Sequence, residues 1–347
     1  MIGKPSRLRV ALTPIGIAGV TCVIAFLALT ALGVGAGTSS TAAGSAPQRT
    51  THPIGAMQAY SEADAKRNGA AGEGGAPPVT ELVPVSPAAF AEPIARYKLY
   101  SAGQLRMMLG YIARLRGALR AHQPTAARVA WRGAYEHWLH LGAVYGAFGA
   151  LSDAIDGTPG GLPGGAHDSR FTGLHRLERG LWQSVSAPEL PGLAARLGDD
   201  VRSLMRRLPS VQITPLEYAT RAHEILEDAQ RDLLSGADVP WSGEGVLATA
   251  AGLAATREVL ATLRSLLDGR EGTIETVEFS LGRLAGALAA VRRDHAGHWP
   301  ALSRLSRRES ELLNGTLGAA LEALDAVPGT LETRVPPPIP SLPSPSR

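Results

Sequence analysis

The sequence predicts an all-α fold, on three observations. Apolar residues recur at helical spacing from about residue 88 to about residue 326, Gly/Pro clusters such as Gly157-Thr158-Pro159-Gly160-Gly161 separate the periodic stretches, and no alternating β-branched run of strand length interrupts them. The expected architecture is two packed antiparallel helical bundles that share a central cleft. Helices are predicted over 88–121, 124–155, 170–184, 187–208, 214–235, 244–268, 273–296 and 299–326.

The ends of the chain read differently. Lys4, Arg7 and Arg9 precede a stretch from residue 10 to residue 48 without a charged side chain, and residues 1–36 are expected to be an export signal or membrane anchor. Val34-Gly35-Ala36 offers a small-residue cleavage site, so a secreted chain and a membrane-anchored one both remain open. Either places the rest outside the cytoplasm. Residues 37–84, rich in Gly, Ala, Ser, Thr and Pro, read as a flexible linker, and 331–347 as a Pro-rich tail. The helical domain is assigned to 85–330. The one cysteine, Cys22, lies in the apolar segment, which excludes an intrachain disulfide and a thiolate metal site. Its surroundings lack the usual lipoprotein pattern.

The net charge of +3 decides little. In helix 88–121, Arg106, Arg114, Arg116 and Arg120 spread over nearly half the circumference with only Tyr111 among them, a poor platform for nucleic acid. Met107 and Met108 are assigned to packing. Helix 124–155 carries Glu136, His137 and His140 midway, followed by a run that is apolar nearly all round, as in a buried helix. Glu136 falls in line with Leu139, Ala143 and Ala147, and a carboxylate there needs a cation or donor partner.

Helix 170–184 carries the most informative pattern. With Leu174 at zero and about 100° per residue, Leu177 and Leu181 lie within about 60° on one side, and Glu178, Trp182 and His175 about 40–100° on the other. His175 and Glu178 therefore share an inward face, whereas Arg176 and Arg179 point away. Such a pair suits a transition metal such as iron or zinc, although a bare H-x-x-E also arises where a His–Glu pair only orders a helix. On helix 214–235, His223 and Glu227 again stack at i, i+4, near Leu216, Ala219, Ala222, Leu226 and Leu233. Two His/Glu helices are what an interhelical metal site needs, and two solvated salt-bridge clusters look the same in sequence.

The string Gly173-Leu174-His175-Arg176-Leu177-Glu178 resembles the G-x-H-x-x-E signature of the imelysin-like family, which includes EfeO-type proteins of bacterial iron uptake. Segments 90–97, 141–149, 154–157, 164–168, 221–228 and 306–309 are also similar, so the resemblance covers about 85–330. It implies an extracytoplasmic protein that binds iron and delivers it to a membrane iron permease, with a haem peroxidase of the same system as a further partner. It also carries over Glu136, its i+4 neighbour His140, and Asp156 as metal residues. Asp156 equally suits a turn cap in its Gly-rich surroundings, and many family members have an acidic residue where this chain has Leu139 or Gly142. Longer members carry a cupredoxin domain, whereas the linker here offers only His52 and Met57 as ligands, so a short form is expected.

The candidate metal residues are thus His175, Glu178, Glu136, Glu227, His223 and Asp156. Iron is the expected ion and zinc the alternative. The other function classes considered are a zinc metallopeptidase and a non-catalytic surface module. The first lacks H-E-x-x-H, because His223-Glu224-Ile225-Leu226-Glu227 ends in glutamate. A ligating imidazole must be neutral, so affinity is expected to fall between about pH 7 and pH 5.

Overall fold

A computed structural model describes residues 83–183, 187–270 and 273–333. The expected signal or anchor (1–36), nearly all of the linker and nearly all of the tail lie outside the described residues.

Ten α-helices are distinguished here: α1 (Ala91–Arg120), α2 (Pro124–Leu139), α3 (Ala150–Asp156), α4 (Gly173–Gln183), α5 (Leu190–Arg207), α6 (Pro215–Asp228), α7 (Gly245–Leu267), α8 (Thr273–Asp294), α9 (Arg307–Leu324) and α10 (Ala326–Thr330). No strand occurs among the described residues, in agreement with the predicted all-α class. Their local causes are visible. Thr214 and Ser306 cap α6 and α9 with reciprocal boxes through Glu217 and Glu309, satisfying backbone N–H groups that have no partner inside the helix. Pro124 and Pro215 open their helices where a missing N–H costs nothing.

Helices α1 and α2 form a hairpin, α5 packs on α1, and α4 bridges α2 and α5 with the short α3 beside it. Helices α6 and α7 pack together, α8 pairs with α9, and α7 also touches α1 and α2. One continuous apolar core joins both groups, with Trp131, Trp138, Tyr97 and Tyr218 fully enclosed. Each such aromatic buries some 150–250 Å². Helix α7 is long and apolar enough to cross a membrane, but its apolar window is 72% buried within the protein, as in a core helix.

The predicted helix 124–155 is broken. It ends at Leu139, gives way to a 3-10 segment at Gly142–Ala147, and restarts at Ala150. Two glycines supply the reason. Gly149 has φ +53°, which ends one helical trajectory and begins another. Gly142 sits so close to Ile225 of α6 that a β-carbon there would overlap its side chain. The alignment of Glu136 with Ala143 and Ala147 therefore does not exist. Likewise the predicted 299–326 divides into a 3-10 turn at Leu302–Arg304 and α9, and 214–235 ends as a π-helical turn, Ala229–Leu233.

Candidate functional site

Gly173 determines the geometry around His175. Its φ of +77° opens α4 from a left-handed residue, and a β-carbon on it would run into the carbonyl groups of Ile155 and Ala154. The end of α3 is thus seated directly on the start of α4. Thr172 Oγ1 reinforces this by donating to the Ala154 carbonyl at 3.1 Å. The residue that follows Ile155 is Asp156, and it arrives beside His175.

His175 and Glu178 are both fully buried. Trp131 Nε1 donates to the Leu174 carbonyl at 2.9 Å, fixing α4 to α2, and the Tyr135 ring meets His175 edge-on at 5.7 Å between centroids. Glu178 Oε1 accepts from the backbone N–H groups of Trp241 (3.2 Å) and Ser242 (2.7 Å), and Oε2 lies 3.3 Å from His175 Nδ1. A carboxylate held in this way keeps a proton on Nδ1 and leaves Nε2 facing the other side. There Asp156 Oδ1 lies at 3.2 Å and Asp238 Oδ1 at 3.5 Å. Tyr135 Oη donates to Asp238 Oδ2 at 2.7 Å.

Three buried polar atoms at this point make no hydrogen bond: His175 Nε2, Asp156 Oδ1 and Trp138 Nε1, whose indole lies beside Asp156. Buried polar groups are normally satisfied, so three orphans together mark a place built for something else. Adjacent ligands on one cation, each about 2.1 Å from it, stand about 3.0–3.4 Å apart, close to the separations found here. Among the described residues no group of three or more His, Cys, Asp or Glu side chains stands in an arrangement that could hold a metal ion as it is. His175, Asp156 and Asp238 would have to close in on a cation to ligate it.

Burial works against a charged His175, but the Asp156 and Glu178 carboxylates close on either side of the ring, with Asp238 beyond, outweigh it and hold its pKa well above the ordinary imidazole value. Burial likewise raises Asp156, against the pull of His175. Without a cation, a proton on Nε2 takes the position that a metal would take.

Asp156 and Asp238 also line a cavity of about 170 Å³ whose wall includes Tyr145, Asp228, Arg231 and Asp232. At about 30 Å³ per water, it has room for several waters or a partly hydrated ion.

The structure brings together His175, Glu178 and Asp156 from the predicted set, and places Glu136, His223 and Glu227 elsewhere. Glu136 is half-buried, raised in pKa by that burial, and under the influence of Arg292. His223 Nδ1 and Glu227 Oε2 pair with each other at 3.6 Å with Glu227 half exposed, and Arg231 lies 3.9 Å from Glu227. Asp238 and Tyr135 were not singled out from the sequence. Asp238 stands in a loop with no periodic pattern, so only the tertiary fold connects it with His175.

No protein family profile matches the chain. Over 254 residues it is 22% identical to the iron uptake system component EfeO of Yersinia pseudotuberculosis, a match covering 72% of this chain and 67% of that protein. Over 239 residues it is 21% identical to the iron uptake system component EfeO of Escherichia coli strain K12, covering 69% and 63%. The chain spans about two thirds of the length of these relatives, and this distant likeness supports an EfeO-like family.

Proposed function

We propose that this chain is an extracytoplasmic iron-binding protein, tethered or exported by residues 1–36, that captures the ion at His175, Asp156 and Asp238 and delivers it to a membrane iron permease. A haem peroxidase of the same uptake system is its other expected partner. The observation that carries the reading is the pair of unsatisfied atoms, His175 Nε2 and Asp156 Oδ1, 3.2 Å apart at the edge of an acidic cavity. The similarity to iron uptake components gives that chemistry its context.

Imidazole and carboxylate oxygens suit iron in either oxidation state, and also zinc. In this reading His175 Nε2, Asp156 and Asp238 hold the cargo, and Glu178 and Tyr135 orient the imidazole and Asp238. Glu136, His223 and Glu227 stand outside it. The role is non-catalytic: capture needs donors and an open cavity, and no nucleophile–base pair is invoked.

Anaerobic titration of the full chain with Fe²⁺ tests this. His175→Gln is expected to weaken binding at least about tenfold, since one of three donors is lost, while His223→Gln leaves it unchanged. Equal binding by wild type and His175→Gln overturns the assignment.

A further inference from the structure

The wall of the acidic cavity is graded. Arg231 at its mouth is 59% exposed, Asp228 and Asp232 are 41% and 38% exposed, Asp156 and Asp238 are 24% and 21%, and His175 behind them is 0%. Charge therefore leads inward from solvent to Asp156, whose Oδ1 lies 3.2 Å from His175 Nε2. Arg231 interrupts that path. Its Nη2 lies 2.5 Å from Asp228 Oδ1 and 2.8 Å from Asp232 Oδ2, so both mouth carboxylates are engaged by one guanidinium. The turn that carries it is tied to the inner donors, because the backbone N–H of Asp238 donates to the Asp232 carbonyl at 3.0 Å.

We propose that Arg231 is the resident counter-ion of the cavity, a positioning and selectivity residue that an incoming multivalent cation must displace from Asp228 and Asp232 to reach His175. This rests on the cavity being an iron site. Four aspartates on one small cavity repel one another, and a guanidinium relieves two of them without being able to ligate a metal. It carries a single charge on a mobile stem. A divalent or trivalent ion brings more charge and bonds directly to carboxylate oxygen, so it can replace the guanidinium where a sodium or potassium ion cannot. The arginine thereby sets a charge threshold for entry.

The test is anaerobic Fe²⁺ binding to the full chain, by equilibrium titration and stopped flow, for wild type, Arg231→Gln and His175→Gln. Arg231→Gln is expected to bind about threefold to tenfold more tightly and to associate faster, the scale of one exposed ion pair removed. Unchanged or weaker binding by Arg231→Gln, with binding still lost in His175→Gln, overturns the gate and leaves the iron site standing. No binding by wild type and Arg231→Gln alike overturns both. Should Arg231→Gln fail to fold, Arg231→Lys carries the test, because it keeps the charge and loses the two-oxygen fork: a smaller rise in affinity supports the proposal and an unchanged affinity contradicts it.

Discussion

His175 Nε2 lies 3.2 Å from Asp156 Oδ1, and neither atom makes a hydrogen bond. With a proton on Nε2 the two form an ion pair, and when that proton is lost each stands unsatisfied, at about 1–3 kcal/mol for a buried polar group. The surrounding bonds show how the pair is held: Gly173 seats the end of α3 on the start of α4, and Glu178 locks the imidazole from behind.

Glu178→Gln keeps the side-chain shape and the backbone bonds to Oε1, but turns an amide toward His175 Nδ1. Where the amide donates, Nδ1 becomes an acceptor and the proton moves to Nε2, which can then no longer ligate. Iron affinity is expected to fall about 10- to 100-fold with the circular dichroism of the apo protein unchanged. An affinity within about twofold of wild type would show that the tautomer does not matter.

Gly173→Ala forces a left-handed alanine against the Ile155 and Ala154 carbonyls. Backbone strain alone is worth about 1–3 kcal/mol, and relief requires α3 to move and take Asp156 with it. Both the melting temperature and the iron affinity are expected to drop. A fall in melting temperature with iron affinity intact would separate Gly173 from the site.

The pH dependence follows from the raised His175 pKa. Its carboxylate partners stabilise the imidazolium in the folded state, so this contribution is fully present below the unfolded value of about 6.5 and is lost as pH rises through the folded pKa. The apo protein should therefore lose stability at alkaline pH, and His175→Gln should flatten that loss. Iron binding expels the proton, so affinity should rise with pH over the same range, approaching tenfold per pH unit for one proton released. The sequence alone places the change between about pH 7 and pH 5, as for an ordinary imidazole; the buried carboxylates move it upward. Thermal melts and titrations at several pH values check both slopes, and an apo stability that rises with pH above neutrality contradicts the assignment.

His140 has the opposite sign. Burial first and the neighbouring His137 second lower its pKa to about 4, and Tyr100 Oη lies 2.7 Å from its Nδ1. A depressed imidazole stabilises the fold above the unfolded value of about 6.5, and this is lost as pH falls toward 4, a change on the order of 2–3 kcal/mol. His140→Asn should remove that part of the acid sensitivity, as read from melts between pH 7 and pH 4.5. An acid limb identical to wild type would assign the loss to other groups.

What the sequence made legible was the periodic part of this architecture. The inward face shared by His175 and Glu178 depends on helical angles alone, and both side chains are fully buried. The break at Leu139 was hidden because Gly142 and Gly149 act through a packing contact with Ile225 and a positive φ, neither of which apolar periodicity encodes. His223 and Glu227 have the same helical spacing logic as His175 and Glu178, yet α6 turns them toward solvent and each other. Asp238 was invisible for the opposite reason. It belongs to a loop, and its partners Tyr135 and His175 lie far away in the chain.

The central claim is that His175, Asp156 and Asp238 hold one ion. The most direct measurement is an iron anomalous-scattering map from crystals of the protein loaded anaerobically with Fe²⁺. A single strong peak is predicted about 2.0–2.2 Å from His175 Nε2 and within bonding distance of Asp156 Oδ1 and Asp238 Oδ1. A peak at Glu136 or at His223 and Glu227, with none beside His175, would contradict it.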